Sequence, residues 1–340
     1  MRVSIIMPVR NEKDYIQAAL SSLVVQDFNP GDLEILCIDG LSQDGTREII
    51  IEYAERFPRI KLVENPRKIT SAALNLGIKH STGDVVIRVD AHSQYPANYI
   101  SKLTDYLFSL QADNVGGVCI AFSSDTSQQA RAINTILTSR LGVGNSLFRV
   151  GVDRVREVDT VPFGCYRRST LDRIGPYDER LYRTEDYELN QRLRKAGGRI
   201  FIVPDVQIQY FPPKTFLDFF RKQFSNGYGV LETALVFGKI SYHSVRHYTP
   251  LCFVLYLLGL TTLFYAWTWF WLPLVAYGTM ILSFGFFKAI EQRNPFSVLM
   301  LPVGLAGTHL SYGCGSLFSL LKAPRKIMQR NNSLIPNASV

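Results

Sequence analysis

From Pro250 to Phe287 the chain carries no charged side chain. One membrane crossing takes about 20 residues, so this stretch is too long for one and suits two. Met1 to about Lys239, by contrast, is an ordinary soluble mixture. The expected division is a soluble domain over 1–210, interfacial helices over 211–248, a membrane domain over 249–321 and a basic tail over 322–340. Met1-Arg2-Val3-Ser4-Ile5-Ile6-Met7-Pro8 is too short for the apolar core of a signal peptide and runs straight into Arg10-Asn11-Glu12, which predicts a soluble part that stays in the cytoplasm.

Within the apolar part, crossings are expected at about Leu251–Trp267 and Trp271–Phe287, with Trp267, Trp269 and Trp271 as an aromatic belt. Lys288, Glu291 and Arg293 bring the chain back to the cytoplasmic side. A third apolar segment, Phe296 to Leu321, contains Pro302, Gly304, Gly307, Gly313 and Gly315 and precedes Lys322, Arg325, Lys326 and Arg330. A simple third crossing would put that basic tail outside, so the positive-inside rule favours a bent or re-entrant segment. Upstream, Phe216, Phe219 and Phe220 with Arg221 and Lys222, then Lys239, Arg246 and His247, suit helices lying on a bilayer; they also suit helices packed in a protein core.

The soluble part alternates strand and helix. Apolar strands at Val3–Pro8, Leu33–Ile38, Ile60–Val63 and Val85–Val89 are separated by helices beginning near Lys13, Arg47 and Thr70, a βαβαβαβ series that implies a parallel α/β sheet with right-handed crossovers. A helix over Pro96–Leu110 and a strand over Gly117–Phe122 continue it. Polar clusters end each of these strands, and ligands of such sheets bind at the carboxyl ends. Asp90 and His92, two apart at one such end, could hold a divalent cation, or be a capping acid and a solvated imidazole. Glu185 and Asp186 open a helix that Thr184 would cap and Gly197-Gly198 would end; acids there are either capping groups or catalytic ones.

The net charge of +8 suits nucleic acid, anionic lipid or phosphorylated substrates. No nucleic-acid motif accompanies it, which favours lipid and phosphate. Arg149, Arg154, Arg156, Arg167 and Arg168 are either solvated loop residues or a phosphate cradle. The five cysteines lack metal or disulfide spacing and are expected to be buried thiols.

Taken in order, Pro8-Val9-Arg10-Asn11-Glu12, Asp39-Gly40 with Ser42 and Asp44-Gly45-Thr46, Asp90-Ala91-His92 and Glu185-Asp186 resemble the motif set of family 2 inverting glycosyltransferases with the GT-A fold. Arg88-Val89-Asp90-Ala91-His92, Val158–Gly164 and Arg194–Ile200 are similar to the subgroup of succinoglycan-type exopolysaccharide glucosyltransferases. The resemblance implies a GT-A (Rossmann-like) domain in an inner-membrane, multi-pass enzyme. It would move a hexose, glucose foremost, from a UDP-sugar to a polyprenyl-diphosphate-linked saccharide with Mn²⁺ or Mg²⁺. It implies that Pro8, Arg10 and Glu12 border the nucleotide and that Asp39 contacts the uracil. Asp90 and His92 would take the metal, Asp186 would be the base with Glu185 beside it, and Gly164 and the five arginines would line the acceptor and its phosphates. Two readings compete: a polyprenyl-phosphate sugar synthase and a non-catalytic nucleotide-binding scaffold. Gln223 stands without the rest of the QxxRW string of processive synthases.

Overall fold

The computed structural model describes residues 1–123, 125–181, 183–237, 247–262 and 268–333, with side chains as far as 322 except at 261 and 262. The chain divides into two compact units, residues 1–122 with 146–211 and residues 123–145 with 212–340.

In the first unit the chain runs β1 (Val3–Val9), α1 (Lys13–Val24), β2 (Leu33–Asp39), α2 (Thr46–Arg56), β3 (Ile60–Glu64), α3 (Thr70–His80), β4 (Val85–Arg88), β5 (Ser93–Gln94), α4 (Tyr99–Ser109) and β6 (Asn114–Ala121). α5 (Gln128–Leu137) and α6 (Arg140–Val143) belong to the second unit. α7 (Leu147–Val150), β7 (Arg156–Glu157), β8 (Cys165–Arg167), α8 (Arg168–Ile174), α9 (Glu185–Lys195) and β9 (Ile200–Tyr210) complete the first.

Among the described residues these strands form one sheet in the order β3-β2-β1-β4-β8-β6-β9-β5, with β7 also on β9. The long pairings are parallel, and β8 is inserted antiparallel between β4 and β6. β2 is buried along its whole length, as a central strand covered on both faces must be. This is a mostly parallel α/β sheet of the kind expected for a GT-A domain.

The strand expected over Val85–Val89 ends at Arg88, and Asp90 and His92 lie in the turn beyond it, at its carboxyl end. β9, eleven residues long, gives little signal because Pro204 interrupts its alternation. The register against β6 shifts between Gly117 and Val118. Only glycine fits at 117, where a Cβ would lie 2.3 Å from the Val206 carbonyl oxygen.

The amino edge of the sheet is tied by Glu34. Its carboxylate accepts from Ser4 Oγ (2.7 Å), Thr82 N (2.6 Å), Thr82 Oγ1 (2.9 Å) and Lys61 Nζ (3.1 Å). Burial alone would raise its pKa, but these four donors outweigh burial and bring it to about 2.

The second unit holds α5, α6, α10 (Phe216–Phe237), α11 (Thr249–Thr262), α12 (Leu272–Glu291) and α13 (Ser297–Ser333). Ser123–Asn145 thus sits with the helical unit and not with the sheet domain, where the linear division put it. α5 buries Ala130, Ala132, Ile133, Ile136 and Leu137, and Gln128 pairs with Asn294 at 2.7 Å.

The segment expected to break at Pro302 and its glycines is instead one helix of 37 residues. The glycines allow close helix packing: a Cβ on Gly315 would lie 2.0 Å from the Phe224 carbonyl oxygen, and one on Gly227 2.0 Å from that of Tyr312. Gly285 of α12 likewise leaves room for the Pro302 ring. α10 is therefore largely buried along one side, as a packed helix is, whereas the interfacial residues Lys239 and Arg246 fall outside the described residues.

Among the described residues one helical stretch, Thr268–Glu291, is long and apolar enough to cross a bilayer. α11 is shorter, and Trp267 lies outside the described residues. The exposed large apolar side chains on these helices run from 40% at Trp271 to 78% at Trp269, surface that lipid or a partner normally covers. Cys37, Cys119 and Cys165 are buried thiols as expected; Cys252 and Cys314, on these apolar helices, are exposed.

Two outcomes follow from this packing. Glu34 has a depressed folded-state pKa, so its contribution is present above the unfolded value near 4.5 and is lost as pH falls toward about 2. Glu34→Gln should cost about 2 kcal/mol at neutral pH, and thermal unfolding of the full chain should show the difference from the parent shrinking across that acid window. Gly227→Ala, which forces a methyl into the Tyr312 carbonyl, should cost about 1–3 kcal/mol in the same assay.

Candidate functional site

The loops that leave β1 and β2 are joined by short polar side chains. Ser42 Oγ accepts from Asn11 N (2.8 Å), Asn11 Oδ1 from Gln43 N (3.0 Å), Thr46 Oγ1 from Glu12 N (2.8 Å) and Asp44 Oδ2 from Lys13 N (3.1 Å). Asn11 and Leu41 take positive φ values of 53° and 56°, which these bonds hold in place. The loops carry Pro8, Arg10, Glu12 and Asp39 to one edge. Arg10 lies across Gly40, exposed, and donates weakly to the Lys68 carbonyl (3.4 Å). Asp39 is fully buried: Oδ1 accepts from Ser42 Oγ (2.5 Å) and Oδ2 from Arg47 Nη1 (2.9 Å), while the other arm of Arg47 holds Glu64 (2.7 Å).

Beyond β4, Tyr95 fixes the backbone of Asp90, its hydroxyl accepting from Asp90 N (2.7 Å) and lying 3.0 Å from Asp90 O. Phe211 N donates to the His92 carbonyl (3.0 Å), and Tyr210 packs edge-on against the imidazole at 5.4 Å. His92 Nδ1 lies 3.1 Å from Glu12 Oε1, and Nε2 lies 3.9 Å from Asp90 Oδ2. With its proton on Nδ1 the ring donates to Glu12, and the Nε2 lone pair is left on the side of Asp90, the arrangement in which a carboxylate orients a ligand histidine.

No group of three or more metal-binding side chains converges among the described residues. Two donors 3.9 Å apart are nevertheless compatible with one cation at about 2.1 Å from each, and Mg²⁺-type sites commonly take one or two protein ligands and complete their shell with phosphate and water.

The strand end also carries Arg88, the last residue of β4. Its guanidinium is nine-tenths buried and pairs with Asp90 Oδ1 (3.3 Å), Glu185 Oε1 (3.2 Å) and, most closely, Asp186 Oδ2. α9 delivers the two acids from its first turn. Thr184, expected to cap the helix, has φ 65° and turns its hydroxyl to the Arg183 carbonyl instead. A β-branched residue in this left-handed region is strained, and the strain falls immediately before the acidic pair.

Burial drives Asp186 well above the ordinary carboxylate range; Arg88 pulls it back, and Glu185 and Asp90 push it up again. For Arg88 burial opposes the charge, but the three carboxylates outweigh it and the guanidinium stays protonated. The donor pair Asp90 and His92 fits a divalent cation.

The remaining arginines divide. Arg167 lies opposite Val85, at the amino end of β4, and donates to the Ala112 (3.1 Å) and Leu107 (3.0 Å) carbonyls. Arg168 donates to the Gly83 carbonyl (2.6 Å) and to Ser81 Oγ (2.5 Å) at that same edge. Both make backbone or hydroxyl contacts at the amino end of β4, the end opposite Asp90. Gly164 is buried, its carbonyl accepting from Arg88 N (3.0 Å), so it shapes the strand end from behind. Arg154 and Arg156 are exposed, Arg156 pairing with Asp153 at 2.5 Å. Arg149 stacks over Tyr210 at 4.2 Å, one ring away from His92.

Sequence reasoning missed Arg88, Tyr95 and Tyr210 as parts of the site. The signal for Arg88 was a charge inside an otherwise apolar strand, two residues before Asp90.

Comparison with known proteins agrees with this fold. The chain is 29% identical over 325 residues to succinoglycan biosynthesis protein ExoA of Rhizobium meliloti (strain 1021), covering 95% of this chain and 96% of that one. It is 26% identical to a dolichyl N-acetyl-alpha-D-glucosaminyl phosphate 3-beta-D-2,3-diacetamido-2,3-dideoxy-beta-D-glucuronosyltransferase of Methanococcus voltae, over 66% of this chain and 71% of that one. Among solved structures, the mannosyltransferase PcManGT from Pyrobaculum calidifontis, in complex with GDP-Man and Mn²⁺, has the same fold with a TM-score of 0.57, 18% identity, and coverage of 92% of this chain and 86% of that one. Residues 4–175 match the profile described as Glycosyl transferase family 2, and the chain belongs to that family.

Proposed function

We propose that the protein is a membrane-associated, inverting hexosyltransferase of glycan synthesis that moves a hexose, glucose foremost, from a UDP-sugar to a polyprenyl-diphosphate-linked saccharide. The observation that carries this reading is the meeting of Asp90 and His92 with Glu185 and Asp186 at one sheet edge, bridged by Arg88. Alignment with a succinoglycan biosynthesis protein over nearly the whole of both chains supports the place in polysaccharide synthesis. The exposed apolar stretch Thr268–Glu291 supports membrane association, and with it a lipid-borne acceptor.

In this reading Asp39 and Arg10 border the nucleotide, and Asp90 and His92 hold Mn²⁺ or Mg²⁺, with Glu12 fixing the imidazole. When bound, the ion supplies positive charge to the diphosphate leaving group. Asp186 takes the proton of the acceptor hydroxyl as its oxygen attacks the anomeric carbon. The new C–O bond forms on one face while the bond to the UDP oxygen breaks on the other, its electron pair leaving with UDP, so the configuration inverts. One base suffices, because the leaving group departs as a stabilised anion.

Asp186→Asn should lower transfer by about 10²–10⁴-fold while UDP binding measured by calorimetry persists; near-normal turnover would reject Asp186 as the base. A donor screen with purified enzyme, Mn²⁺ and a polyprenyl-diphosphate monosaccharide should give an inverted product, whereas product formed on bare polyprenyl phosphate would identify a polyprenyl-phosphate sugar synthase. Because imidazole is a softer ligand than carboxylate, His92→Asp should shift activity from Mn²⁺ toward Mg²⁺, read from rates at matched concentrations of the two ions.

A further inference from the structure

We propose that Arg88 is the positioning residue of the transfer. It grips Asp186 by Oδ2 so that Oδ1 alone remains to take the acceptor's proton, and it locks that base to Asp90 on the donor side. The inference rests on the reading of Asp186 as the base.

Asp186 Oδ1 is buried and, like Nε and Nη1 of Arg88, has no hydrogen-bond partner among the described residues, while Oδ2 is ion-paired with the Arg88 guanidinium. A buried carboxylate oxygen without a donor is costly and calls for a partner, which the acceptor hydroxyl would supply during transfer. Among the described residues Arg88 is the cation paired with Asp186 and with Glu185.

The sheet determines where the guanidinium lies. Arg88 is the last residue of β4, its amide donates to the Gly164 carbonyl, and β4 is paired with β1 on one side and β8 on the other. The base arrives on a helix, from a loop strained at Thr184. Arg88 therefore transfers the fixed position of the strand to a helix-borne carboxylate, and its contact with Asp90 gives base and donor site one anchor.

Arginine suits this task. Its planar fork reaches several carboxylates at once and it does not deprotonate, so in the transfer step the proton goes from the acceptor hydroxyl to Oδ1 and Arg88 remains charged throughout. A residue that only neutralised buried acids would affect folding and every ligand equally; a positioning residue affects turnover.

The full-length enzyme, purified with lipid, is assayed with UDP-glucose, Mn²⁺ and a polyprenyl-diphosphate monosaccharide, alongside calorimetric binding of UDP with Mn²⁺ and thermal unfolding. Arg88→Met should lower kcat by about 100-fold or more with KM for the donor and Kd for UDP within about threefold, and Arg88→Lys should recover part of the loss. Placed on Asp186→Asn, Arg88→Met should cost nothing further, because the two residues act as one unit. Arg88→Met with Glu185→Gln keeps the net charge of the cluster and should fold even where the single variant does not, still without turnover.

The proposal is overturned if Arg88→Met, or the charge-balanced pair, turns over within about threefold of the parent. It is also overturned if kcat and UDP affinity fall together, or if Arg88→Met costs the same factor on Asp186→Asn as on the parent. An active Asp186→Asn would instead remove the base itself, whereas an inactive Asp186→Asn beside an active Arg88→Met would remove only the role of Arg88.

Discussion

Arg88 is buried at the carboxyl end of a central strand, with Asp90, Glu185 and Asp186 around its guanidinium. Removing a charge from water is expensive, and the cost is offset only when the partners are well placed. The acids arrive from two directions, the turn after β4 and the first turn of α9, so the cluster forces the strand end and the helix start together. Asp90, Glu185 and Asp186 thus share one buried cation.

The neighbouring loops use a different device. Ser42, Asp44, Thr46 and Asn11 satisfy one another's backbone donors between two loops that have no strand pairing of their own. Such side chains compete well with water for amide groups at loop ends. They hold Glu12 where it reaches His92, and so connect the loop after β1 to the turn after β4. The Glu34 cluster performs the corresponding service at the amino edge, far from any chemistry.

Much of this was legible in the sequence. Apolar runs ended by polar clusters marked β1, β2, β3 and β4, because a strand buried on both faces has little choice of composition. The ordered motifs placed Asp39, Asp90, His92, Glu185 and Asp186 at one edge. The place of Arg167 and Arg168 was not legible, because charge in a sequence does not say which edge it faces; pairing of β8 against β4 reverses the direction and carries them to the amino end of β4. β9 was hidden by Pro204, and the glycines of α13 resembled breaks because helix packing partners are invisible in a single segment.

The sequence by itself determined the α/β alternation, the apolar helical region and the residue types of the site, since these depend on periodicity and composition along short stretches of chain. Tertiary structure alone decided that Arg88 joins carboxylates from the turn after β4 and from α9, that Asp186 has one oxygen held and one without a partner among the described residues, and that Ser123–Asn145 packs with the helical unit. Those facts arise from contacts between residues as far apart as 88 and 186, where strand order, register and helix placement fix the distance and local patterning carries no information about it.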